Sequence, residues 1–317
     1  MKYLEYCELP AFIAAHFPGS EDSRRVGRLG QFLSDYLDTV RFFGSEGIRP
    51  NDVAVRYLNE PYIIPDKVIA EFAARTAAKM RAEGRLHDGP LSMKAAACDF
   101  NSDTPTLIVQ PCDYALQAGS CFALDLPDKS FASSGGTLRH YYRRGCVVPR
   151  LDNNPLATCL GVCGYLIVDE RGDRYLLQVK RASSLASLEG TFGPSSAGVV
   201  DYAKGCRNLH ELIVSSMERE VEEELGLQPQ EYEIVPLAWS IELFRGERPQ
   251  LFCLIRTLLS RSEVSARLHT VPPGRREFES FEFLPLYGGL IVDQKHFDPL
   301  NPEAKMNFFL MEEYLSL

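Results

Sequence analysis

An α+β or α/β fold in two parts is predicted for this chain, and three observations carry the prediction. Short apolar runs of strand length recur between turn residues, two segments have helical spacing with caps at both ends, and a stretch rich in Ser, Gly, Pro and charge at 130–154 separates a loosely patterned first half from a more regular second half. The 317 residues are 45% apolar, enough to fill real cores and to exclude a disordered or collagen-like chain. The predicted division is 1–150, an N-terminal α+β accessory domain, and 151–317, a second α/β-type domain.

Up to about residue 50 the pattern is mixed. Residues 53–58 and 62–64 then read as strand or extended pieces. After Pro65, Asp66 can cap a helix whose Ile69, Phe72, Ala73, Ala77 and Met80 fall on one face, and Gly84 can end it. His87-Asp88-Gly89-Pro90 is a turn signal; the adjacent His and Asp are accounted for by turn chemistry and receive no catalytic role. Strand-like runs follow at 91–100, 106–110 and 121–126.

In the second half, residues 160–168 and 175–179 read as two strands joined at Asp169-Glu170-Arg171-Gly172-Asp173. A loop at 183–198 leads to a helix bounded by Asn208, with Glu211 three residues on, and by Gly226. Its Leu209, Ile213, Met217, Val221 and Leu225 are spaced by four and form one buried stripe. Residues 233–241 and 250–259 predict a further strand pair, 278–284 another strand, and 302–317 a closing helix.

Forty-three acids against 34 bases leave a formal charge of −9, which argues against a general nucleic-acid binder. Two basic spots, Arg24-Arg25-Val26-Gly27-Arg28 and His140-Tyr141-Tyr142-Arg143-Arg144, read as solvated loops rather than phosphate sites. No stretch approaches the roughly 18 apolar residues of a membrane helix, and Met1-Lys2-Tyr3-Leu4-Glu5 reaches an acid before any apolar run. A soluble cytoplasmic chain is expected. The nine cysteines are odd in number and lack a Cys-x-x-Cys pair, so reduced thiols acting as small buried hydrophobes are expected, and no zinc site.

Chemistry is concentrated on the 208–226 helix. Glu220, Glu223 and Glu224 lie at i, i+3 and i+4, so three carboxylates converge within about one turn, at the helix end whose dipole is already negative. Such a face repels itself unless a cation is bound, and hard oxygen ligands suit magnesium or manganese. On charge pattern alone, a merely solvated acidic face is an equal reading.

The segment Gly205-x5-Glu211-x7-Arg219-Glu220-Val221-x-Glu223-Glu224-x-Gly226-Leu227 resembles the Nudix box of the Nudix (MutT-related) hydrolase superfamily at every defined position. A chance match in a chain this long is on the order of 10⁻⁷ at ordinary residue frequencies. The resemblance spans roughly residues 155–317 and implies a mixed sheet sandwiched between helices. It also implies a hydrolase that cleaves the diphosphate linkage of a small nucleotide-type compound by water attack on phosphorus, aided by Mg²⁺ or Mn²⁺. On this resemblance Glu220, Glu223 and Glu224 are expected as metal ligands, with a carbonyl beside Gly205 as an extra one. Arg219 is expected to hold the carboxylates by bidentate pairing, Glu211 to brace the box, and Gly205 and Gly226 to make its tight turns. Glu220 is the first choice for general base, and acids in Arg275-Arg276-Glu277-Phe278-Glu279 are the alternative.

Two other readings stay open at this point, a non-catalytic nucleotide sensor and an RNA 5'-end or cap hydrolase. The chain also departs from the family pattern before the box, where Gly193-Pro194-Ser195-Ser196-Ala197-Gly198-Val199-Val200 replaces a Pro-Gly-Gly-like turn; Gly198 preserves close backbone approach. Tyr202 and Trp239 could stack on a base, although a lone strand Trp reads as core. The first half is expected either to cover the cleft or to pair subunits into a homodimer.

Overall fold

The computed structural model describes residues 36–142, 151–183, 185, 188, 190–272, 275–287, 290–291 and 300–317. The basic spot at 24–28, Arg143 and Arg144 of the second spot, Cys7 and Cys146, and the expected division at 150 itself lie outside these residues.

In chain order the first half contributes β1 (Tyr36–Arg41), β2 (Ala54–Tyr57), α1 (Lys67–Ala82), β3 (Ser92–Asp99), β4 (Thr106–Cys112), α2 (Tyr114–Ser120) and α3 (Leu138–Tyr142). The second half contributes β5 (Gly161–Glu170), β6 (Asp173–Arg181), β7 (Phe192–Gly193), β8 (Ser196–Val199) and α4 (Leu209–Glu220). It continues with β9 (Tyr232–Glu242), β10 (Arg248–Thr257), α5 (Arg261–Thr270), β11 (Phe278–Tyr287), β12 (Leu290–Ile291) and α6 (Pro302–Leu315).

The main sheet runs β1-β9-β10-β5-β6-β11-β12, with β7 on β6 and β8 on β5. It is mixed, because β10 and β5 pair in parallel while the other pairs are antiparallel. Alternation along β5 decides its two faces. Leu166 and Val168 pack with Ile213, Met217, Val221 and Leu225 of the α4 segment, whereas Tyr165 and Ile167 pack with Ala304, Phe308 and Met311 of α6. The sheet is therefore held between helices, the layering that the box resemblance implies.

A second sheet has the order β2-β4-β3. Its buried residues Val55, Met93, Leu107 and Val109 pack with Leu209 and Ile213 of α4, while α1 packs on α2. Asp66 caps α1 by accepting from Val68 N at 2.8 Å and Ile69 N at 3.1 Å. The expected face, Ile69, Phe72, Ala73, Ala77 and Met80, is buried against Ala115, Ala118 and Phe122. The run at 121–126, expected as a strand, instead extends α2 by a 3-10 turn at Cys121–Ala123. Asp113 starts that helix by accepting from Ala115 N at 2.8 Å, and a helix buried on every side produces the same unbroken apolar run as a strand.

The halves are stitched together by backbone. β1 forms an edge of the main sheet through pairs from Tyr36↔Glu242 to Arg41↔Ala238. Met93 N donates to Val200 O at 2.7 Å, Leu160 N to Met93 O at 2.7 Å, and Leu209 N to Val53 O at 2.9 Å. Val53, Met93, Leu107 and Val109 share one apolar cluster with Val162, Leu209 and Ile213. Of the described cysteines, Cys112, Cys121, Cys159, Cys163 and Cys253 are buried, all are free thiols, and no three His, Cys, Asp or Glu among the described residues form a preassembled metal cage. No described helix is long and apolar enough to cross a membrane.

Candidate active site

The box helix begins as expected. Asn208 Oδ1 accepts from Glu211 N at 2.9 Å, and Gly226 closes the far end with φ 69°, a conformation that side chains disfavour. Gly205 likewise has positive φ, 147°. The last turn is not α-helical, however; residues Val221–Leu225 are wound as a π-helix. The three carboxylates of the box end in different surroundings.

Glu224 turns inward and is 6% exposed. Its Oε2 accepts from Ser196 Oγ at 2.6 Å and Ala197 N at 2.9 Å, pinning the helix to β8. Glu220 is also 6% exposed, while half of the Glu223 side chain is open to solvent. Glu220 and Glu223 meet through Arg219 rather than directly. Arg219 Nη2 donates to Glu220 at 2.5 Å and to Val199 O at 2.9 Å, Nη1 donates to Glu223 at 3.3 Å, and Nε lies 3.3 Å from Asp201. Arg219, expected to hold the carboxylates by bidentate pairing, thus spreads its fork over three acids and a strand carbonyl.

The segment that departs from the family pattern is what positions these groups. Ser195 Oγ accepts from Leu166 N at 2.7 Å and donates to Leu177 O at 2.5 Å, tying β5 to β6. Gly198 lies against Glu220, and a Cβ there would stand 1.8 Å from Glu220 Oε1. Val199 O accepts from Arg219 and Gly198 O faces Arg248 Nη2 at 3.4 Å, whereas Gly205 does not line the cleft.

Electrostatics follow from this burial. Removal from water, reinforced by Glu277, Glu223 and Asp201 and opposed by Arg219, pushes the Glu220 carboxyl up to about 8. Burial, with Glu277 and Glu220, drives Glu224 well above the usual range despite its two hydrogen bonds. Asp201 is raised by burial and Glu223 against the pull of Arg219. Burial opposes the charge of Arg219, but Glu220, Asp201 and Glu223 outweigh it and hold the guanidinium above its ordinary value.

Asp201, Arg219, Glu220 and Glu223 line a cleft of about 280 Å³ together with Arg181, Arg245, Arg248, Glu277 and Glu303; Glu224 is not among its lining residues. Glu277 is the cleft-lining acid of the 275–279 segment; Glu279 accepts from Ser183 N at 3.0 Å and pairs with Lys180 at 3.3 Å instead. The first half supplies further wall, including Tyr114, Phe122 and His87, to which sequence reasoning gave no role.

Several candidates lie elsewhere. Glu211 is outside the cleft, nine residues and about 13 Å along the helix from Glu220. It accepts from Arg207 N at 2.8 Å and Arg207 Nη2 at 2.6 Å, bracing the loop before the helix. Trp239 is core, edge-on to Phe100 at 5.3 Å, and Tyr202 packs on Tyr57 and donates to Leu58 O. In the second basic spot, Tyr141 donates to Asp66 at 3.0 Å and Tyr142 to Glu247 at 3.4 Å, so its described rings serve the fold.

No protein-family model matches the chain, and no curated protein matches it. Solved structures to which it is similar are Nudix proteins. They include the NUDIX domain of Shewanella oneidensis NrtR complexed with ADP ribose, at 15% identity over 50% of this chain and 89% of that one, TM-score 0.33. A Nudix hydrolase from M. smegmatis, RenU, is 16% identical over 49% and 85%, TM-score 0.33. A C. elegans Ap4A hydrolase is 11% identical over 49% and 94%, TM-score 0.29.

Proposed function

We propose that this chain is a Nudix-type hydrolase that cleaves the diphosphate linkage of a nucleoside diphosphate joined to a second group. The observation that carries the reading is the arrangement of Glu220, Glu223 and Asp201 around Arg219 in a cleft that Glu277 and buried guanidiniums also line. The donors fit a hard divalent cation: they are oxygen only, and burial above all, with neighbouring carboxylates adding to it, raises Glu220 to about 8 and Glu224 well above its ordinary value. Glu220 and Glu223 would hold Mg²⁺ or Mn²⁺, with Glu224 fixing the helix against β8. When bound, the cation supplies charge neutralisation at the attacked phosphoryl group.

The residues of the chain divide the remaining work. Arg219 orients Glu220 and Glu223 and keeps them from flying apart. Glu277, in the lining of the same cleft and 3.7 Å from Arg181, is the proposed base: it takes the proton as the water oxygen bonds to phosphorus and the anhydride oxygen leaves with the other phosphoryl group. Glu220 is less suited to that task, since a carboxyl raised to about 8 is mostly protonated at neutral pH until a cation arrives.

The test is phosphate release, after coupled phosphatase treatment, from nucleotide sugars, dinucleotides, nucleoside triphosphates and coenzymes with Mg²⁺ or Mn²⁺, comparing wild type with Glu223→Gln. Turnover lost in the variant while its melting temperature stays within a few degrees is expected. A variant with wild-type rates would remove Glu223 from the site, and silence of the wild type across the panel would overturn the hydrolase reading.

A further inference from the structure

A second cavity, of about 400 Å³, lies at the C-terminal end of the box helix beside Gly226 and meets the first cleft at Arg219 and Glu223, which line both. Its remaining walls are Glu222, Gln228, Thr270, Val271, Pro272 and Arg275. None of these six belongs to the carboxylate cluster, and none lines the first cleft.

The walls are held in place by groups outside the cavity. Arg276 donates through Nε to Val271 O and through Nη2 to His269 O, both at 2.8 Å, which closes the end of α5 and fixes the loop that carries Pro272. Gln228 N donates to Glu231 Oε2 at 2.8 Å, and its side chain accepts from Glu231 N, so the oxygen of that amide is used while its NH2 is not. Thr270 Oγ1 donates to Arg267 O at 2.6 Å and keeps its lone pairs for accepting. Among the described residues neither Glu222 nor Arg275 forms an ion pair. The cavity thus presents hydrogen-bonding groups of both kinds that the fold does not consume.

Their balance decides what they suit. Two acids, Glu222 and Glu223, stand against two bases, Arg219 and Arg275, so neither sign of charge is favoured outright. The negative pole of the box helix disfavours an anion here, and the guanidiniums disfavour a metal ion. No aromatic ring is among the lining residues, so a flat base finds nothing to stack on, and Val271 and Pro272 offer only a narrow apolar strip. A neutral group dense in hydroxyls satisfies every wall. Its O–H groups donate to the Glu222 carboxylate and Thr270, its oxygens accept from Arg275 and the Gln228 NH2, and a C–H face rests on Pro272.

The geometry points to a sugar-binding site: the second cavity takes a neutral, hydroxyl-rich ring joined to the far phosphate of a ligand whose diphosphate lies in the first cleft. The join rests on the hydrolase reading, which puts phosphoryl groups beside Glu223; the hydroxyl chemistry of the cavity does not.

The experiment is calorimetric binding in metal-free buffer to wild type, Arg275→Ala, Arg275→Lys and Glu222→Ala. The probes are UDP-glucose, GDP-mannose and ADP-ribose, each against the β-methyl ester of the same nucleoside diphosphate, which keeps the charge and lacks the sugar, together with free glucose, mannose and ribose. In its preferred pair the wild type is expected to bind the sugar compound at least about tenfold more tightly than the methyl ester. That ratio should fall to about threefold or less in Arg275→Ala and Glu222→Ala and recover partly in Arg275→Lys. Both side chains are exposed, so melting temperatures should stay near that of the wild type. An unchanged ratio in both alanine variants, or no sugar preference in any wild-type pair, overturns the proposal. A free sugar that binds as tightly as its linked form would overturn the join. The two readings fail differently: a sugar preference without turnover in Mg²⁺ sinks the hydrolase, whereas turnover with a flat ratio sinks the sugar site.

Discussion

Gly198 offers a steric probe of the carboxylate wall that leaves every charge in place. In Gly198→Ala the new methyl carbon would lie 1.8 Å from Glu220 Oε1, 2.1 Å from Cδ and 2.5 Å from Oε2. Ordinary contact would require the carboxyl to retreat by about 1.4 Å, and it is buried and bonded to Arg219. Misplacement of a catalytic group by about 1 Å costs on the order of 10²-fold, equivalent to about 2.7 kcal/mol of transition-state stabilisation. Overpacking costs about 1–3 kcal/mol of stability, and the reduced freedom of the unfolded chain returns roughly 0.4–1 of that. The expected result is a kcat/KM about 100-fold down with a melting temperature only about 2–6 °C lower. Steady-state kinetics with scanning calorimetry measures both, and Gly198→Ala combined with Glu220→Asp, which shortens the acid, should recover part of the rate. A Gly198→Ala enzyme with wild-type kcat/KM would refute the confinement of Glu220 as a requirement for activity.

Three further outcomes follow from the geometry. In metal-free buffer the melting temperature should fall as pH rises from about 4.5 to about 8, because the Glu220 carboxyl, raised by burial, is favoured protonated in the folded protein and loses that advantage as it is forced to ionise; the total is a few kcal/mol at about 1.4 kcal/mol per pKa unit. A flat profile in that window, or one unchanged in Glu220→Gln, would contradict the burial argument. Arg139→Ala should be severely destabilising, by about 3–5 kcal/mol, because Arg139 is 2% exposed and joins Asp125 at 2.6 Å to Phe244 O at 2.7 Å across the two halves; denaturant midpoints measure this. Glu211→Gln, by contrast, should alter turnover by no more than about twofold, since Glu211 is an exposed brace outside the cleft, and a large kinetic loss would restore it to the catalytic set.

The box wall was legible because a single helix carries it: caps at Asn208 and Gly226, the apolar stripe and the acid spacing all lie within 20 consecutive residues. Periodicity could not foresee the π-wound turn at Val221–Leu225, because helical spacing presumes regular pitch. The guanidiniums of the cleft were hidden for a different reason. Arg181, Arg248 and Glu303 come from distant parts of the chain and meet only because β5 lies between β6 and β10 while α6 covers that face. Arg245-Gly246-Glu247-Arg248 lies between the two strands expected at 233–241 and 250–259, and a charge cluster flanked by long apolar strands is ambiguous until burial is known. β1 left no signal either, since Tyr36–Arg41 lacks a clear alternation and draws its partner from far along the chain.

The edge position of β1 has a consequence for how the protein is made. Its partner strand is about 200 residues further along, so at roughly 5–20 residues per second the ribosome delivers β9 some 10–40 s after β1 has emerged. Throughout that interval β1 is an unpaired strand with its backbone groups open to any neighbouring edge. The sequence at this point, Tyr36-Leu-Asp-Thr-Val-Arg41, sets an acid and a base among its apolar residues, the kind of interruption that discourages a waiting strand from joining the wrong sheet.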